Sequence, residues 1–186
     1  MQILGKRMID RDFREIFTSQ FIAITGGIIA GIFLLSITNK LELVPGLFVL
    51  IPGFLEMHGN IFGSLAARLV TLLHIKHIKP KLEHNRLVWI NILASVFLLI
   101  IVALFLGIAA YLLNLYIFKS NTPILILISL IAAVIAIIVE LPITVFSTFW
   151  LYKNGYDPDD IMGPYITTIG DVVSILSLFI VMLVVV

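Results

Sequence analysis

Long apolar runs alternate with short polar breaks along this chain. Four runs, at about 18–38, 87–117, 122–151 and 161–186, hold enough apolar residues to cross a bilayer, for which a helix needs about 20. A fifth run, at about 45–73, reaches that length only with Glu56, His58 and Asn60 inside it. No connection between runs is long enough to fold a soluble domain. The pattern predicts an all-α integral membrane protein with five transmembrane helices in residues 18–186. Residues 1–17 set Ile3, Leu4, Met8, Ile9, Phe13, Ile16 and Phe17 against charged neighbours. That alternation predicts a short amphipathic arm lying in the membrane interface. The arm lacks the apolar core and small-residue cleavage site of a signal peptide.

Composition agrees with the pattern. The chain is 61% hydrophobic and 12% charged, and its mean hydropathy is +1.16. Soluble domains are about 45–50% apolar and about a quarter charged. With no cysteine, disulfides, iron–sulfur clusters and cysteine-based zinc sites are excluded. A net charge of +1 gives no reason to expect a nucleic-acid partner; the lipid bilayer is the expected surrounding. Lys and Arg are one-sided. Lys6, Arg7, Arg11 and Arg14 precede the first run, Arg68, Lys76, Lys79, Lys81 and Arg86 surround the second junction, and Lys153 follows the fourth run. Only Lys40 and Lys119 occupy the alternate connections. Positive charge favours the cytoplasmic side. The expected topology is a cell-membrane protein with a cytoplasmic N-terminal arm, cytoplasmic loops at 74–86 and 152–160, and the C-terminus outside.

Most acids fall in the polar breaks, but Glu56, Glu140 and Asp171 fall inside apolar runs. An ionised acid at the centre of a span costs roughly 2.5–3.5 kcal/mol on insertion scales, so such residues face a partner or a water-filled path. Asp171 lies about ten residues into the last run, roughly 15 Å at helical rise. Thr167 and Ser174 share its helical face and Thr168 adjoins it. A cation or proton site weighs more here than a purely structural acid. In the second run Glu56, Asn60, Gly63 and Ala67 form one stripe, and Gly59 and Gly63 form a small-xxx-small pair suited to close helix contact. Pro45, Gly46, Pro52 and Gly53 predict a broken outer half of that helix, with carbonyls exposed towards protein or a cavity. Carbonyl, amide and carboxylate oxygens suit a hard cation. The plainer alternative is a packing interface. His58 reads more readily as an interior histidine than as a ligand. Glu140, two residues before Pro142, is either a second cation or proton position or a brace for His58 or Arg68. In "NGYDPDDIMGP", Asp157 reads as an N-cap, Pro158 as the first helical residue, and Asp159 and Asp160 as complements to the helix dipole. No phosphate-binding loop, dinucleotide turn, zincin histidine pair or activated nucleophile is present, so no enzymatic activity and no cofactor are expected.

"GYDPDDIMGPYITTIGDVVSI" resembles the last helix and preceding loop of the MgtE magnesium transporter family, especially its eukaryotic solute-carrier branch. "GNIFGSLAARL" resembles that family's second helix. The five-span plan fits as well, so the resemblance covers nearly the whole chain. It implies that Asp171 is the pore aspartate that holds the cation. It implies that Asn60 lines the same pore, with Thr167 and Ser174 at pore-facing positions of the last helix. Glu56 has no counterpart in the resemblance, and Ile61-Phe62 stands where eukaryotic relatives carry an acid. Those relatives hold two five-helix repeats in one chain; a single repeat implies a homodimer with the pore at its two-fold interface. Bacterial members add cytoplasmic sensor domains that are not read in these residues.

The expected function is transport of a divalent cation, foremost Mg²⁺, through a pore lined by the second and fifth helices of a homodimer. Mg²⁺ is then the cargo. The expected cation site comprises Asp171, Asn60, Thr167, Ser174, Glu56, Thr168 and Glu140. The alternative is a proton- or sodium-coupled carrier of another solute, with Glu56, Glu140 and Asp171 as a relay.

Overall fold

A computed structural model describes residues 2–36, 38, 44, 46–81 and 85–185, with side chains from residue 13 onward. The described residues form five helices and no strand: α1 (Gln2–Ser36), α2 (Leu47–His74), α3 (Arg86–Ile117), α4 (Ile124–Lys153) and α5 (Pro158–Val185). Phe13–Ser36, α3, α4 and α5 are long and apolar enough to cross a membrane. The remaining helix, α2, carries the polar stripe. The side chains of the arm up to residue 12 lie outside the described residues, as do Lys40, Glu42, Pro45 and Glu83. The arm's backbone continues without interruption into the first apolar run as α1.

Local sequence explains the helix ends. Asp157 accepts the Asp159 backbone N–H at 3.0 Å in front of Pro158, and Asp159 and Asp160 sit in the first turn of α5. This is the N-cap arrangement read from the sequence. Asn85 caps α3 in the same way, accepting the Leu87 N–H at 2.9 Å. The expected break in the second helix is absent: α2 runs unbroken through Pro52 and Gly53. Pro52 is the sixth residue of α2, so its missing N–H deletes one helical bond close to the helix start. Gly46 supplies the helix start instead, and its Cα lies against Leu125 and Asn114.

The helices alternate in sense along the chain. Ser19 and Gly26 of α1 meet Asp160 and Thr168 of α5, so these two run parallel. Gly59 of α2 meets Gly170 while His74 meets Asp159, so α2 runs against α5. Ser147 and Glu140 of α4 meet Tyr165 and Gly170, again antiparallel. Arg68 and Gly53 of α2 meet Ser95 and Leu106 of α3. The start of α1 and the junctions after α2 and α4 therefore share one end of the bundle. That is the end where the sequence concentrates Lys and Arg.

The core lies where α2 packs on α3, α4 and α5, and holds Phe54, Phe62, Leu65, Leu69, Leu99 and Ile128. Small residues bring α3 and α4 together: the Ser129 hydroxyl donates to the Ala103 carbonyl at 2.7 Å, and a Cβ on Gly107 would stand 2.9 Å from the Ile126 Cα. Such contacts replace the hydrophobic effect as the packing force between helices in lipid. The outward faces of α3 and α4 are apolar, with Phe97, Phe105, Ile138 and Phe146 exposed.

Candidate cation site

The second and fifth helices meet backbone to backbone. A Cβ on Gly59 would stand 3.3 Å from the Thr167 hydroxyl and 3.5 Å from its Cα. A Cβ on Gly170 would stand 3.5 Å from the Gly59 nitrogen. Two glycines facing each other leave room for this approach, which fixes the polar side chains around it.

One side of the contact is an open polar face. On α2, Glu56, Asn60 and Ala67 are exposed and Gly63 looks into empty space. The stripe read from the sequence therefore lies on one outward face. Asn60 donates to Glu56 at 3.4 Å along the helix. On α5, Thr167 is exposed and Asp171 is half-buried, midway along the helix. The Thr167 hydroxyl donates to the Gly163 carbonyl at 3.1 Å, so outward it can only accept.

The other expected residues point elsewhere. Thr168 donates to the Pro164 carbonyl at 2.8 Å and packs its methyl over Gly26 of α1. Ser174 is buried, with its hydroxyl 3.0 Å from His58 Nδ1. His58 is fully buried between Phe54 and Phe62. Its Nδ1 lies 2.8 Å from the Phe54 carbonyl. A carbonyl only accepts, so Nδ1 carries the proton and Nε2 presents a lone pair. That Nε2 has no hydrogen-bond partner. Glu140 is 1% exposed, and neither of its carboxylate oxygens has a hydrogen-bond partner. It braces neither His58 nor Arg68. Arg68 instead donates to Ser95 at 2.6 Å and Ser64 at 3.2 Å.

Ser95 and the Gly26–Thr168 contact had no distinct signal in the sequence: one is a lone serine in a very apolar helix, the other a glycine among several. Among the described residues, no three His, Asp or Glu stand close enough together to hold a metal ion. The chain thus offers carboxylate, amide and hydroxyl oxygens spread along an open face. That donor set suits a hard cation that keeps part of its water shell.

Residues 51–181 match the family model described as MgtE, divalent cation transporter. No curated protein and no solved structure gives a significant match. The matched segment takes in α2 from its first turns, the whole of α3 and α4, and α5 beyond Asp171. The open polar face of α2 and α5 lies wholly within it, and the chain belongs to the MgtE family of divalent cation transporters.

Proposed function

We propose that the chain transports Mg²⁺ through a pore between two copies, with α2 and α5 of each lining it. All five helices cross the membrane in this reading, and the Lys- and Arg-rich end is cytoplasmic. The observation that carries it is the open face bearing Glu56, Asn60, Thr167 and Asp171 midway along two helices. Polar groups at that depth need water or protein against them, not acyl chains. A second copy related by a two-fold axis covers the same face on both protomers, the commonest symmetric arrangement. It also brings two Asp171 carboxylates to one cation, which Mg²⁺ tolerates well because it binds through few carboxylates and retained waters.

Asp171→Asn keeps size and shape but removes two negative charges per dimer. It is expected to abolish most Mg²⁺ binding by calorimetry and most Mg²⁺ flux into liposomes, while the protein still folds. Binding by the unaltered protein is expected to weaken as pH falls, because protons occupy the same oxygens as the cation. Mg²⁺ binding and flux by Asp171→Asn at the level of the unaltered protein would sink the assignment.

A further inference from the structure

The main neighbour of α1 is α5, which leaves a groove on either side of their seam. The two sides differ. Gly31, Leu34 and Thr38 of α1 line a groove against Phe48 and Pro52 of α2. Pro52 lies one turn from Glu56, so this groove is on the side of the open polar face. Arg14, Thr18 and Ile22 recur every fourth residue on the opposite side of α1. With Glu15, Tyr156 and Ile161 they line a groove of about 260 Å³. A second copy seated on the polar face leaves that groove open to the bilayer.

Walls and rim differ in chemistry. Ile22 and Ile161 give apolar walls, and Ser19 at the floor spends its hydroxyl on the Ile16 carbonyl at 2.8 Å. The rim carries one cation and one carboxylate. Arg14 is exposed in the first turn of the apolar segment Phe13–Ser36, and no carboxylate among the described residues pairs with it. Glu15 is half-buried and accepts the Asp157 N–H at 3.4 Å. A carboxylate accepts about four hydrogen bonds, so this contact orients Glu15 without exhausting it. Tyr156 and Trp150 are exposed beside the groove and stack with ring centroids 6.2 Å apart. Exposed Tyr and Trp at the ends of spanning helices mark the level of lipid headgroups.

The far end of the same seam lacks this pairing of charge with oil. Phe33 and Ser36, on the Ile22 side of α1, form a groove of about 260 Å³ with Ile175 and Phe179 of α5, and no charged residue lines it. Only the groove at the Lys- and Arg-rich end has a charged rim. Its volume falls below the roughly 300–1,000 Å³ of pockets that enclose a compact ligand. A slim chain from the surrounding bilayer fits it better. The head on that chain meets a guanidinium, which suits a phosphodiester, and beside it a carboxylate. The carboxylate disfavours a purely anionic headgroup. It also gains no hydrogen bond from choline, which has no N–H, whereas a primary ammonium donates several.

We propose that the groove between α1 and α5 binds a phospholipid with a primary-ammonium headgroup, of the phosphatidylethanolamine class. Its phosphodiester meets Arg14, its ammonium meets Glu15, and one acyl chain lies along Ile22 and Ile161. Bound there, the lipid clips the start of α1 to α5. The site depends on the helices crossing a bilayer and is independent of the ion path.

The test is native mass spectrometry of the delipidated full-length protein in detergent. It is titrated with dioleoylphosphatidylethanolamine and with the matching phosphatidylcholine and phosphatidylglycerol. The ethanolamine lipid is expected to bind about fivefold more tightly than the choline lipid, the upper worth of one exposed ion pair. Arg14→Gln is expected to weaken both lipids by about the same factor. Glu15→Gln, whose amide oxygen still accepts the Asp157 N–H, is expected to erase the preference between them. Thr18→Phe, at an exposed position in the groove, is expected to block both. Soluble glycerophosphoethanolamine is expected not to compete, since it has no chain to bury. Equal binding of the ethanolamine and choline lipids overturns the proposal. So does tighter binding of the glycerol lipid, which marks a simple anion site. Competition by the soluble headgroup overturns it too, as does undiminished binding by Arg14→Gln or Thr18→Phe, which places the lipid elsewhere. A preference that survives Glu15→Gln removes the ammonium contact and with it the proposed headgroup.

Discussion

At the residue scale, the interior of this protein is settled by how polar groups are partnered. Arg68 shows this best. Its guanidinium reaches Ser95 across the α2–α3 contact at 2.6 Å and Ser64 on its own helix, and its Nε is buried without a partner. Ser95 is fully buried, so water cannot replace it. Ser95→Ala is expected to cost about 1–3 kcal/mol, the usual penalty for stripping a buried donor of its acceptor. A lowered melting temperature in detergent checks this. The sequence disclosed which side chains are polar in the apolar runs, and it put Glu56 with Asn60, and Asp171 with Thr167 and Ser174, on shared helical faces. It did not disclose that Thr167 and Ser174 differ in surroundings. Their positions on the helical wheel are nearly the same, but they lie seven residues apart along α5. At the level of Thr167 the face is open, whereas at Ser174 it is closed by His58 and its aromatic neighbours. Helical period fixes direction and not the neighbour met at each height.

At the scale of elements, glycines mark where helices touch and where they do not. A methyl on Gly107 would collide with the backbone of Ile126, which has no rotamer to yield. A methyl on Gly63 would meet nothing among the described residues. Gly107→Ala is expected to push α3 from α4 and cost about 1–3 kcal/mol, in the range of overpacked cores. Gly63→Ala is expected to leave stability unchanged or slightly raised, because alanine is the better helix former. Thermal melts of the two variants in one detergent distinguish them. Four of the helices were legible from length and hydropathy alone, because nothing but a spanning helix uses so long an apolar run. The second was legible as a helix from the spacing of its stripe. Its continuity through Pro52 was not, since a proline's effect depends on its distance from the helix start, and that start, at Leu47, is set by tertiary contacts of Gly46.

At the scale of the molecule, the alternating sense of the five helices puts the beginning of α1 and the junctions after α2 and α4 at one end. Combined with nine of the twelve Lys and Arg residues falling in those segments, and Arg68 in the last two turns of α2, this gives a topology that labelling can check. The chain has no cysteine, so each introduced one is unique. In intact cells, an impermeant thiol reagent is expected to modify Ser120→Cys and to spare Lys79→Cys. The reverse pattern inverts the orientation.

The open polar face has a consequence for how the protein is made. On the two-fold assembly proposed above, a newly inserted chain carries Glu56, Asn60 and Thr167 against acyl chains until it meets another copy. Pairing is then a race against membrane quality control, and its rate depends on how many copies share the bilayer. Stability of such a protein is inseparable from its concentration. When synthesis is scarce, the yield of working transporter falls faster than synthesis itself, so the dose of the gene becomes a control on ion flux.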